Sequence, residues 1–212
     1  MKDSWIFLFL LVTAMACNQQ LASTQQAANK RGSLPTAFYK EKIQYDSDKK
    51  KDGQYEMTSE RGVLLVRGQY DAGKKVGEWT FYDRKEEVFL VFDFDESSVV
   101  KSQLRYSRLI DGQREMVEEM TPSSPALGDY VLEVYKMFAY PKIAYENNVE
   151  GTNTVRMDLD ESGQVVNMEV IRQIGAQTGP QSLKMLGVQK IVWDVPEGKG
   201  LYSILFPVAF RK

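Results

Sequence analysis

Thr152 to Val170 reads TNTVRMDLDESGQVVNMEV. Val155, Met157 and Leu159 alternate with polar residues, so one face of this stretch is apolar at a period of two. Asp160-Glu161-Ser162-Gly163 is turn composition. Val166, Met168 and Val170 then alternate again. Two alternating runs around a short polar turn predict a β-hairpin. A second reading competes on the same residues. Asp158, Asp160, Ser162, Gly163, Val165 and Glu169 match positions 1, 3, 5, 6, 8 and 12 of an EF-hand loop. That loop needs a helix on each side, and strands of period two flank this one, so the hairpin is the expectation and no metal is expected.

Working outward, Tyr130–Phe138 (YVLEVYKMF) carries Val131, Val134, Tyr135 and Phe138 at helical spacing. Pro141 suits the first turn of a second short helix holding Ile143, Ala144 and Tyr145. Pro180–Lys190 places Leu183, Leu186 and Lys190 on one helical face, weakened by Gly187. Tyr202–Phe210 is a last strand with Ile204, Phe206 and Val208 on one face. Helix, hairpin, helix and strand make an α+β plan, with helices on one face of a three-stranded antiparallel sheet.

Further upstream the chain repeats. Gln44-Tyr45-Asp46 recurs as Gln69-Tyr70-Asp71, Lys49-Lys50 as Lys74-Lys75, and Gly53-Gln54-Tyr55 as Gly77-Glu78-Trp79. The unit is about 24 residues and alternates at period two, with Asp71-Ala72-Gly73-Lys74-Lys75 as a turn. Stacked antiparallel hairpins follow, and the glycine of each Gly-x-Trp/Tyr is expected to lie under a ring. Gly68–Asp83 resembles MORN-like repeats of the bacterial type. In such proteins the repeats are scaffolding or contact surface. Gly68–Lys75 also approaches a P-loop, but Lys75 stands where a hydroxyl is needed and strand-like residues follow in place of a helix.

The N-terminus begins with Lys2, an apolar run Trp5–Val12 and Ala14-Met15-Ala16 before the sole cysteine, Cys17. The run is too short to span a bilayer comfortably, which takes about 20 residues, and has the length of a signal-peptide core, with a retained membrane anchor as the alternative. The segment resembles the lipobox of bacterial lipoproteins, with Ala14 where that family usually has Leu. The resemblance implies cleavage before Cys17 and a lipid on Cys17. Asn18–Ser33, rich in Gln, Ala and Ser, reads as a flexible tether.

Composition excludes several chemistries. The 212 residues carry 27 Lys plus Arg against 29 Asp plus Glu, a net charge of −2, which argues against nucleic acid. There is no histidine and one cysteine, so catalytic His pairs, thiolate zinc clusters and internal disulfides have no residues to build them. Ser47-Asp48-Lys49-Lys50 fits S-x-x-K, but no Lys-Thr-Gly follows. No enzyme and no cofactor are expected.

Residues 127–212 resemble the C-terminal domain of TonB proteins. The matching elements are Tyr140-Pro141…Ala144, Gly151 with Val155–Asp160, Ser162–Val170, Val192-Trp193…Pro196, and Phe206-Pro207-Val208-Ala209-Phe210. The resemblance implies a periplasmic binding module whose edge strand pairs with a short segment of an outer-membrane receptor, by strand addition. Carried over, the edge is the last strand, with Tyr202, Ile204, Phe206, Val208 and Phe210 as partner-binding residues and Tyr202, Phe206 or Arg211 tuning choice. Energy transducers of the family keep an uncleaved membrane helix and a Pro-rich spacer; here a cleavable signal and a repeat domain stand in those places.

The expected organisation is a signal peptide (1–16), a tether (17–37), a MORN-like hairpin domain (38–110), a linker (111–126) and a TonB-like domain (127–212). The expected function is a non-catalytic lipoprotein of the Gram-negative periplasm, anchored to the inner or outer membrane. It binds an outer-membrane receptor or other envelope protein as an accessory of TonB-dependent transport. The alternatives are a membrane-anchored transducer of the TonB type and a purely structural envelope protein. Free strand edges would also suit a homodimer.

Overall fold

The computed structural model describes residues 22–24, 39–118, 121–187, 189–197 and 201–211. The expected signal peptide and Cys17 lie outside the described residues, as does most of the tether. Among the described residues no helix is long and apolar enough to cross a membrane.

The first sheet is an antiparallel meander in chain order: β1 (Ala22–Thr24), β2 (Tyr39–Tyr45), β3 (Lys51–Ser59), β4 (Leu64–Asp71), β5 (Lys74–Tyr82), β6 (Val88–Asp93) and β7 (Ser98–Ser102). β1 falls within the expected tether and pairs along β2. Turn chemistry sets the register. Asp46 Oδ1 accepts the N–H groups of Asp48 (2.9 Å) and Lys50 (2.8 Å), and Asp83 Oδ1 those of Lys85 (2.7 Å) and Glu87 (3.0 Å). In each turn the third residue after the aspartate is left-handed, Lys49 and Glu86 respectively. An aspartate side chain that ties its own turn fixes the loop length, and with it the strand register.

The segment Gly68–Lys75 is strand, two-residue turn and strand, so it presents no helix N-terminus for phosphate. The repeated glycines do something other than lie beneath a ring. Gly53 and Gly77 have φ of 81° and 59° and sit where pairing with the neighbouring strand slips by a bulge. The glycine under a ring is Gly68, opposite Tyr55 on β3 and covered by Trp79.

The second sheet has the order β11-β10-β12-β8-β9. Its members are β8 (Arg105–Ile110), β9 (Gln113–Val117), β10 (Gly151–Leu159), β11 (Val165–Arg172) and β12 (Leu201–Phe210), with α1 (Leu127–Lys136), α2 (Lys142–Glu146) and α3 (Thr178–Leu186) between β9 and β12 in sequence. The three-stranded sheet expected for the C-terminal part is present as β11-β10-β12, and two strands extend it to five. These come from residues assigned above to the hairpin domain and the linker. The boundary between 110 and 111 therefore cuts through the β8–β9 hairpin. Asp111 and Gly112, with φ of 49° and 81°, form its two-residue turn.

The chain passes from β7 in the first sheet to β8 in the second across Gln103 and Leu104 alone. α1 packs on both sheets. On one side a Cβ at Gly128 would lie 2.6 Å from Phe92 and 2.8 Å from Phe94, and the Tyr135 hydroxyl donates to Tyr82 O (2.7 Å). On the other, the Tyr130 hydroxyl donates to Leu186 O (2.7 Å) and its ring sits 6.2 Å from that of Phe206. This double burial explains why Leu127, Gly128, Tyr130 and Leu132 are buried along with Val131 and Val134 of the expected stripe, while Tyr135 is half-buried. One contiguous apolar core runs through both sheets.

Candidate functional site

β12 lies inside the sheet. On one flank all of Gly151–Asp158 pairs with it; on the other, β8 pairs with Leu201–Leu205. The last strand is therefore not a free edge over its first half. The β8–β9 hairpin of the same chain takes that place. Tyr202, Ile204, Phe206, Val208 and Phe210 all point inward and are buried. They build the core, and their side chains have no surface to offer a partner. Past Leu205, which pairs with the first residue of β8, Arg84 Nη1 donates to the carbonyl of Arg211 (3.0 Å).

The outward face of the sheet carries a polar network. From β9, Arg114 reaches across β8 and donates to Ser203 on β12 and to Asp158 on β10 (3.1 Å). Asp158 also accepts from Ser203 Oγ (2.7 Å) and Asn167 Nδ2 (3.0 Å), and pairs with Arg156 Nε (3.1 Å). Arg156 in turn holds Glu169 (2.6 Å). So Asp158 and Glu169, which fit calcium-loop spacing, are neutralised by arginines. Asp160 Oδ1 accepts the N–H groups of Ser162 and Gln164 (2.9 Å each), as Asp46 and Asp83 do in their turns. The spacing that mimics an EF-hand arises from a hairpin turn flanked by cross-strand ion pairs.

Burial alone raises the Asp158 pKa. The hydrogen bonds from Ser203 and Asn167, with the charges of Arg156 and Arg114, outweigh it and hold the carboxyl below its ordinary value. A depressed carboxylate stabilises the fold above its unfolded pKa of about 3.9, and that contribution is lost as pH falls through the folded value. Asp158→Asn is expected to cost about 1.5 kcal/mol or more at neutral pH. It should also flatten the acid limb of the melting temperature against pH, which calorimetry from pH 7 to pH 2 measures.

Among the described residues two outermost strands of this sheet remain open, β9 and β11. All of Gln113–Met116 is exposed. On the outward face lie Met116 of β9 (56% exposed), Leu109 of β8 and its cross-strand partner Leu201 (47% exposed). A pairing edge bordered by an apolar strip is the arrangement through which a sheet takes on a further strand. Arg114 and Glu115 put charge on this edge, a device that discourages indiscriminate pairing.

Residues 136–211 match the family model of the Gram-negative bacterial TonB protein C-terminal. The match begins at the last residue of α1 and takes in α2, β10, β11, α3 and β12, a little over a third of the chain. It leaves out the first sheet and the β8–β9 hairpin. No curated protein and no solved structure matches the chain. The matched segment is thus of TonB type, and the β8–β9 hairpin that flanks its last strand is an addition from outside the match. Sequence reading missed that addition although Asp111-Gly112, a strong two-residue hairpin signal, stands in the middle of it.

Proposed function

We propose that the chain is a non-catalytic protein of the Gram-negative cell envelope that binds a protein partner by strand addition at β9. In this reading it is an accessory of TonB-dependent outer-membrane transport, held to a membrane by lipid on Cys17, and the first sheet is a scaffold. The TonB-type match of residues 136–211 supports a protein-binding role in the envelope. The carrying observation is that β8 occupies the flank of β12, so the outermost strand on that side is β9. An extended segment of an outer-membrane receptor adds to Gln113–Val117. Main-chain hydrogen bonds supply affinity, and Met116, Leu109 and Leu201 supply apolar contact.

The test is site-specific photo-crosslinking in intact envelopes. A photoreactive residue replaces Glu115 on one edge or Val166 on the other. The expected result is a crosslink from position 115 to an outer-membrane receptor, lost when Met116→Lys and Leu201→Lys are combined. Crosslinks to receptors from position 166 alone, or from neither, overturn the assignment. Mass spectrometry of the mature N-terminus tests the lipid separately.

A further inference from the structure

A cavity of about 260 Å³ lies where the two sheets and α1 meet. Leu65 and Phe89 from the first sheet, Val134 and Phe138 from the α1 region, and Phe206 and Val208 from β12 make its apolar wall. Arg84 lines it too. The Arg84 guanidinium lies 3.9 Å from the centre of the Phe138 ring and donates one hydrogen bond, to Arg211 O. Among the described residues no carboxylate pairs with Arg84. Asp83 also lines the cavity, and its Oδ1 accepts turn N–H groups in place of Arg84. Burial lowers the Arg84 pKa, consistent with a cation held in an apolar setting.

We propose that this cavity binds a medium-chain amphiphilic carboxylate, with its apolar end among Leu65, Val134 and Phe206 and its carboxylate on Arg84. A guanidinium offers five N–H donors in a planar fork that matches a carboxylate, so most of its bonding capacity is open to one. The volume equals roughly eight or nine water-sized groups at about 30 Å³ each. That suits a chain of medium length. The site needs both sheets, so a C-terminal domain of this type lacks it when standing alone. It does not depend on the β9 assignment.

An apolar peptide C-terminus carries the same chemistry, so the test separates the sources. The full chain is titrated by calorimetry with octanoate, octanol, octylamine and N-acetyl-leucyl-leucine. The expected order is saturable octanoate binding, about tenfold or more weaker octanol, and no octylamine binding. Arg84→Gln, checked for native circular dichroism, should reduce octanoate to the octanol level. Val134→Phe, which fills the cavity, should abolish both. Equal affinity for octanoate and octanol, or no saturable binding, overturns the site. Tighter binding of the dipeptide than of octanoate overturns the fatty-acid assignment. The head-group series on the wild-type chain decides the matter even if a variant fails to fold.

Discussion

Gly68→Ala is expected to destabilise the protein by about 3 kcal/mol, the upper end for overpacking a filled core, and Gly68→Val by more. A Cβ at residue 68 would lie 2.2 Å from Trp79 Cδ2. The indole has nowhere to retreat. It is fully buried, with the Tyr55 ring stacked at 4.9 Å and the Tyr70 and Phe94 rings edge-on at 5.1 and 5.4 Å. Its Nε1 donates to Gln69 O (3.2 Å). The substituted backbone cannot retreat either, since Gly68 is laddered to Tyr55 on β3. Because the core is continuous through both sheets, the loss should appear as one cooperative transition at lower urea, with fluorescence and circular dichroism coincident. A cost below about 1 kcal/mol, or two separate transitions, would contradict the packing described.

Gly163→Ala is expected to cost about as much for a different reason. Gly163 has φ of 77°, and an added Cβ would stand 1.7 Å from the carbonyl oxygen of Trp193. That obstacle is backbone, so no side-chain rotation relieves it. Gly163 O also accepts the Trp193 N–H (2.8 Å), and Gln164 bridges to Val192. The substitution therefore pushes the 191–194 segment off the hairpin and pulls at the buried Trp193 ring. Gly175 is the control: its φ is 89°, and an added Cβ there would meet nothing within 4 Å. Gly175→Ala should show the conformational cost alone, about 1 kcal/mol. Denaturant melts of the two variants should differ by about 2 kcal/mol; equal midpoints would contradict the account of Gly163.

Local features were readable from the chain because they depend on local chemistry. The hairpin at Thr152–Val170 follows from alternation and one turn. α1 and the last strand likewise lie close to where periodicity puts them. Strand allegiance was not readable. Tyr106 faces the core and Ser107, though buried, lies on the opposite face of the strand, and such alternation fits the end of the first sheet as well as the flank of β12. The choice is made by non-local partners: Leu201 opposite Leu109, Ser203 opposite Ser107, and Arg114 reaching Asp158. The same gap explains the partner-binding residues. A strand rich in Tyr, Ile, Phe and Val suits an edge that recognises a peptide and a strand buried on its inner face equally well. Only the pairing of its two flanks separates the two.

Hydrogen exchange of the intact chain tests most directly whether the chain supplies its own neighbour to β12. The structure predicts that the laddered amides of Leu201–Leu205 and Arg105–Leu109 exchange together, at the slow rate set by global unfolding. The outward-facing amides of β9 should exchange fast, as those of an open edge do. Fast exchange throughout 105–117 with slow exchange in β10 would contradict the account. It would return β12 to the edge of a three-stranded sheet and move the docking surface back to residues 201–210.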